Sequence, residues 1–224
     1  MGHALRIDAL EVPGHEVELR PVSLEVEAGE VVAVTGPPGC GKSLFLRQLA
    51  GLAPARAARL EILGIDALRE PRLAWEQIGY LRGDRESFVG ALTAHENLRH
   101  HAAMKRLPAA TLDQSVVAEL RRAGLASLAA TPPRALERDD RLRLAMAHAW
   151  LDRPRLLLLD EPLYGASDEA AEQFLASFEE WLSASPDHTA ILAGRALRPF
   201  AALCTRAFVL RERDLAPISP YELP

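Results

Sequence analysis

Cysteine is scarce: Cys40 and Cys204 are the only two in 224 residues, and they lie far apart. Two distant thiols make neither a metal cluster nor a disulfide framework, which points to a reducing compartment. Long hydrophobic runs are missing too. No stretch reaches 18 apolar residues, and the opening MGHALRIDALEV lacks the apolar core of a signal peptide. A cytosolic protein is expected, still able to dock on a membrane protein. A basic excess is absent: 26 Lys and Arg face 31 Asp and Glu, a net charge of −5. That argues against broad nucleic-acid binding, which needs a basic face. There is no run of five like charges, no internal repeat, no low-complexity segment and no evident linker.

What is present describes an ordinary globular chain, 49% hydrophobic and 25% charged, long enough for one large domain or a core with an inserted subdomain. Residues 5–12 (LRIDALEV) and 17–27 (VELRPVSLEVE) read as strands around a turn at Pro13-Gly14, and AGE at 28–30 as a second turn. The unbroken apolar run VVAVT at 31–35 predicts a strand buried on both faces. A helix is expected over 43–51, with Gly51 as its cap. IGYL at 78–81 and the runs at 155–160, 189–193 and 207–210 read as further strands, with a helix over 168–184. From about 85 to 148 the pattern is helical. Alternating strands and helices predict an α/β fold with a mostly parallel sheet. The helical block implies an inserted subdomain, over about 85–140, between core segments 1–84 and 141–224 of one domain.

Two segments carry chemistry. GPPGCGKS at 36–43 fits G-x-x-x-x-G-K-[ST], with an apolar strand before it and a helix after it. Its glycines let backbone N–H groups turn inward and cradle phosphate oxygens, and the following helix points its positive end at the same place. The candidate nucleotide-binding residues are Gly36, Pro37, Pro38, Gly39, Cys40, Gly41, Lys42, Ser43 and Leu44. Lys42 is expected to reach the β- and γ-phosphates of ATP, and the Ser43 hydroxyl to ligate Mg²⁺. LLLLDEP at 156–162 supplies a strand that ends in acids. Asp160 would stand near the Mg²⁺ shell, and Glu161 is the candidate general base toward the attacking water.

The order and flanks of these segments resemble the nucleotide-binding subunit of ABC transporters over nearly the whole chain. The resemblance rests on VSLEVEAGEVVAVTGPPGCGKSLFLRQLAGL at 22–52, LTAHENL at 92–98, RPRLLLLDEP at 153–162 and RPFAALCTRAFVLRERDL at 198–215. It implies a P-loop core with an N-terminal antiparallel β subdomain and an inserted α-helical subdomain. It also implies a head-to-tail dimer enclosing two ATPs, as a homodimer or with a second ABC ATPase. Each ATP would be covered by the partner's LSGGQ-like motif. The dimer would drive an integral-membrane permease from the cytoplasmic face of the membrane.

The sequence departs from that family at several places. The LSGGQ positions fall on Leu136–Asp140, LERDD, where side chains would crowd a partner's γ-phosphate and acids would oppose it. Two unit charges about 4 Å apart interact by roughly 4 kcal/mol at an effective dielectric near 20, and Arg138 would offset part of this. The other reading is a solvated helix N-terminus, where acids are favourable. The family's glutamine after IGYL is replaced by Gly83, or by Arg82 with one shift, with Asp84 as a substitute oxygen ligand. Its histidine after the last core strand is replaced by Arg195, read either as a γ-phosphate contact or as a surface arginine. The acid of the turn after the second motif falls on Ser167 or Asp168. Its adenine-stacking aromatic has no counterpart: Pro13 holds the place and His15 is the nearest ring.

The groups that bind ATP·Mg²⁺ within one chain are thus kept, and those that reach across a dimer or sense the γ-phosphate are altered. The expectation is an ATP-binding subunit of a transporter with attenuated or asymmetric hydrolysis. The alternative is a regulatory module that dimerises on ATP without hydrolysing it. A nucleic-acid- or ribosome-directed ATPase is disfavoured by the single cassette and the acidic balance.

Overall fold

The computed structural model describes residues 2–12, 21–82, 88–211 and 214–224; statements of number or absence below refer to these residues. Strands β1 (His3–Leu10) and β2 (Val22–Glu27) pair antiparallel. In β2 the alternation is strict, with Val22, Leu24 and Val26 inward and Ser23, Glu25 and Glu27 outward, as a sheet with one wet face requires. The first strand therefore begins two residues before the expected span and stops at Leu10, and the described part of the second begins at Val22.

Strand β3 is Val31–Thr35, and helix α1, Lys42–Leu49, follows the glycine-rich loop after it. The helix cap is Ala50 rather than Gly51, which stands one residue beyond at φ 68°. There it accepts the left-handed turn that ends many helices. Strands β4 (Arg59–Ile62) and β5 (Ile65–Asp66) complete a four-stranded antiparallel sheet in the order β2-β1-β4-β5. The sequence reading overlooked this hairpin. Its signal was the two-residue turn Leu63-Gly64, both at positive φ, which suits the right-handed twist of paired strands.

After helix α2 (Pro71–Glu76) come β6 (Ile78–Leu81), α3 (Ala94–Met104), α4 (Ala109–Arg122), α5 (Arg138–Trp150), β7 (Leu156–Asp160), α6 (Asp168–Ser183), β8 (Thr189–Ala193), β9 (Arg206–Arg211) and β10 (Asp214–Ile218). The second sheet has the order β10-β9-β3-β8-β7-β6 and is parallel except for β10. Every residue of β3, β7 and β8 is buried. Alternate residues feed different cores: Leu156 and Leu158 pack toward α1 and the antiparallel sheet, while Leu157 and Leu159 pack toward α5 and α6. A third core joins α3 and α4 to Leu144, Ala147 and Leu151. Helix α5 thus belongs to both the helical layer and the sheet layer.

A buried polar cluster fixes that junction. Lys105, just past α3, pairs with Asp152 at 3.1 Å and donates to the carbonyls of Trp75 (2.6 Å) and Ile78. Its ammonium also lies 4.4 Å from the centre of the Trp75 ring. Beside it the rings of His101 and His148 lie against each other, tilted by 34° with 3.6 Å between centres, and edged by Trp75 and Phe88. Burial, reinforced by His148 and Lys105, drives the His101 pKa far below its ordinary value. Burial, reinforced by Lys105 and His100, brings His148 from 6.5 to about 4. The unfolded chain therefore takes up protons below pH 6.5 that the folded chain refuses, and stability falls as pH falls. The expected slope is about 1.4 kcal/mol per pH unit per histidine. Urea unfolding between pH 7.5 and 5 measures it, and His148→Gln should make the slope shallower.

Candidate functional site

Strand order creates the site. β8 lies between β3 and β7, so the chain leaves β3 into the glycine-rich loop, β8 into Gly194 and Arg195, and β7 into Glu161 along one edge. In register, Ala193 stands beside Val34 on one side and Asp160 on the other. This is the carboxyl edge of a parallel sheet, where open α/β folds hold their ligands.

In the loop, Gly36, Gly39 and Gly41 have φ of 150°, 75° and 104°. A Cβ at Gly36 would come within 2.3 Å of the Leu210 carbonyl, so no side chain fits there. Pro37, Pro38 and Gly39 are exposed, Cys40 and Gly41 partly so, and Leu44 packs into the first core. The N-terminus of α1 has no side-chain cap and no acid in its first turn, the arrangement that suits a bound anion. The Lys42 ammonium is buried and donates to the carbonyls of Gly36 (2.8 Å) and Pro37 (2.9 Å), holding the loop closed on itself.

The Ser43 hydroxyl donates to Asp160 Oδ1 at 2.9 Å, bridging 117 residues of sequence. A hydroxyl and a carboxylate converging beside a phosphate cradle form an oxygen donor set that fits Mg²⁺. This ion takes few protein ligands and fills its shell with phosphate oxygens and water. Glu161 is next, at φ 45°, a backbone conformation uncommon outside glycine. Its N–H donates to the Ala193 carbonyl at 2.7 Å, which anchors the turn. Its Oε2 accepts the Arg195 N–H at 3.2 Å, and its Oε1 pairs with Arg195 Nε at 3.3 Å. Gly194 makes room for this carboxylate, since a Cβ there would lie 3.1 Å from Oε2. A Cβ there would also lie 3.1 Å from Leu197 Cδ2 in the core, so Gly194→Ala should shift both neighbours by a few tenths of an ångström, lowering any turnover and slightly lowering the unfolding midpoint.

Ser43, Asp160, Glu161 and Arg195 line one cleft of about 280 Å³ together with Arg47, Tyr80, Arg82 and Tyr164. The sequence reading named the first four and Arg82. Arg47 could have been found from its spacing, one helical turn after Ser43. Tyr80 and Tyr164 carried no such signal. Pro13, His15, Gly83 and Asp84 lie outside the described residues.

The segment 136–140 does not line this cleft. Three of its four charged residues, Arg138, Asp139 and Asp140, are engaged within the chain. Glu137 precedes α5 and makes no side-chain cap. Asp139 accepts from the Ser167 hydroxyl at 2.6 Å and from its N–H at 3.2 Å, and Asp140 pairs with Arg143 at 3.0 Å. Arg138 lies over the Tyr164 ring at 5.8 Å and fills the space beside Gly165, where any side chain would collide with its guanidinium. Ser167 in turn caps α6, whose first residue is Asp168. Asp139→Ala should loosen this clasp and destabilise the fold by about 1 kcal/mol, read from the thermal midpoint.

A family profile described as ABC transporter matches residues 19–164. The chain belongs to this family. It is 32% identical over 214 residues to the uncharacterized ABC transporter ATP-binding protein YdbJ of Bacillus subtilis, covering 94% of this chain and 67% of that protein. It is 34% identical over 180 residues to the zinc import ATP-binding protein ZnuC of Ruegeria pomeroyi, covering 80% of this chain and 61% of the relative. A dimeric ATP-binding cassette in a post-hydrolysis state, bound to ADP and Pi, superposes with a TM-score of 0.83 at 20% identity. That match covers 96% of this chain and 98% of the other, and at this identity it speaks for the fold. The chain is thus an ABC transporter ATP-binding domain with the ABC ATPase fold, a nucleotide-binding domain of the ATPase class. No described helix is long and apolar enough to cross a membrane.

Proposed function

We propose that this chain binds ATP with Mg²⁺ in the cleft at the carboxyl edge of β3, β8 and β7, and hydrolyses it slowly to drive a membrane permease. The observation that carries the reading is the Ser43–Asp160 hydrogen bond at 2.9 Å. It brings together the two oxygen groups that would hold the metal, at the start of the helix that follows the glycine-rich loop. Ser43 and Asp160 would hold Mg²⁺, which supplies charge neutralisation to the phosphates when bound. The loop amides would cradle the phosphates, and Lys42 would exchange its loop carbonyls for β- and γ-phosphate oxygens. Glu161 would accept a proton from water as that water's oxygen bonds to the γ-phosphorus. The bond from phosphorus to the β–γ bridging oxygen breaks, and ADP and phosphate leave.

On this reading the domain works as a dimer with its own kind or with a second ABC ATPase, on the cytoplasmic face of the inner or plasma membrane. Residues 136–140 would be a poor lid for a partner's ATP, because Arg138 and Asp139 are occupied with Tyr164, Gly165 and Ser167 of their own chain. A second reading, ATP binding without turnover, is favoured by the Arg195–Glu161 ion pair, which ties up the candidate base. Light scattering with ATP and phosphate release, with and without the permease, separate the two. The first reading expects ATP-dependent dimers and phosphate release that rises with the permease. The second expects dimers and no phosphate over hours.

A further inference from the structure

We infer that Arg195 is a latch on Glu161 which the γ-phosphate of ATP releases, so that the base is freed only when a nucleoside triphosphate is present. The inference rests on the proposed ATP site and names a regulation of it. Both carboxylate oxygens of Glu161 are engaged by residue 195, one by its backbone N–H and one by its guanidinium. Glu161 is held there by its own backbone, at positive φ and bonded to Ala193, with Gly194 leaving room behind the carboxylate. The latch itself is weakly seated. The Arg195 side chain is 49% exposed and that of Glu161 22%, so the ion pair is partly screened and easily exchanged.

The guanidinium shares the cleft with Ser43 and Asp160, where the terminal phosphate would come to rest beside the metal. A guanidinium is planar, permanently charged and shaped for two oxygens at once. A terminal phosphate offers it more negative charge and more acceptor oxygens than one carboxylate does. When ATP enters, Arg195 leaves Glu161 Oε1 for the γ-phosphate, while the backbone N–H of residue 195 keeps Oε2 in place. The base is then uncovered without being moved. ADP has no γ-phosphate and leaves the latch shut. Tyr164, whose ring centre lies 5.8 Å from Arg195, offers the guanidinium a surface along which to swing. In this role Arg195 positions Glu161 in the empty site and reads the triphosphate in the filled one.

The test is a binding cycle on the full chain with Mg²⁺, using a non-hydrolysable ATP analogue and ADP as probes, by titration calorimetry. The four proteins are the wild type, Glu161→Gln, Arg195→Ala and the double variant. A latch makes Glu161→Gln tighten the triphosphate roughly two- to fivefold more when Arg195 is present than when it is absent, and leaves ADP nearly unchanged in both. Arg195→Ala should lower the preference for triphosphate over diphosphate about fivefold, and Arg195→Lys should restore part of it. A pair that stays closed throughout predicts the opposite: Arg195 shields the carboxylate, so Glu161→Gln has an equal or smaller effect in its presence. That result overturns the latch. Should Arg195→Ala fail to fold, the same comparison made with Arg195→Gln decides. If Lys42→Ala leaves triphosphate binding unaltered, the ATP site itself is wrong. If binding depends on Lys42 but the cycle has the wrong sign, only the latch is.

Discussion

Glu161→Gln should lower ATP hydrolysis by about two to four orders of magnitude, to background, while ATP still binds. The glutamine has nearly the same shape, keeps an acceptor for the Arg195 N–H and sits on the same anchored backbone, but it cannot take a proton. General-base contributions of that size follow from losing proton transfer alone. Phosphate release measured beside the wild type decides the matter. A robust rate that the substitution leaves intact would show that another group, or water alone, serves as base. Conservation of the fold in the variant is checked by its unfolding midpoint, which should move little because the Glu161 carboxylate is partly solvated.

The largest effect on stability is expected at the other end of the domain. Lys105→Ala and Asp152→Ala should each cost about 3–5 kcal/mol, because each strands an opposite charge in a buried site. The side chains are 1% and 8% exposed. Burial pushes the Lys105 pKa down and the Asp152 pKa up, and their mutual attraction works against both shifts. Lys105 also satisfies the carbonyls of Trp75 and Ile78, at the entry to β6. Losing it should therefore loosen the seat of the helical layer on the sheet as well as the pair. Urea midpoints of the single variants and of Lys105→Met with Asp152→Leu test this. The double variant should be less destabilised than either single. Independent, additive losses would contradict a paired charge at the junction.

The parallel sheet was legible in the sequence because its strands are apolar on both faces. VVAVT, LLLLD and TAILA leave no other economical reading. The loop at 36–43 stands out in the sequence for a different reason, since its glycine spacing is what backbone N–H groups need to point inward. The hairpin of β4 and β5 was harder, since Leu60 and Ile62 are the only inward residues of a four-residue strand and its turn begins with a leucine. Strand β10 contains Pro217 and partly exposed residues, which conceal it at the sheet edge. Within the site, the residue types were readable and their contacts were not. That Arg195 meets Glu161 depends on β8 lying directly beside β7, a topological fact that joins residues 34 positions apart. The charges at 137–140 suit a helix start that faces solvent or a partner, and nothing in that pattern shows that Asp139 also meets Ser167, 28 residues away, through the packing of α5 against the start of α6. The reading of LERDD as a charged helix start fits α5, whose first turn holds Asp139 and Asp140.

If ATP·Mg²⁺ binds over Lys42, Ser43 and Asp160, nucleotide affinity depends both on the Lys42 ammonium and on the metal. Equilibrium binding of a fluorescent ATP analogue is compared between the wild type and Lys42→Ala, with Mg²⁺ and with chelator. Micromolar binding is expected for the wild type, weakened roughly a hundredfold by Lys42→Ala and weakened again when the metal is removed. Equal affinity in the two proteins, insensitive to Mg²⁺, would contradict it.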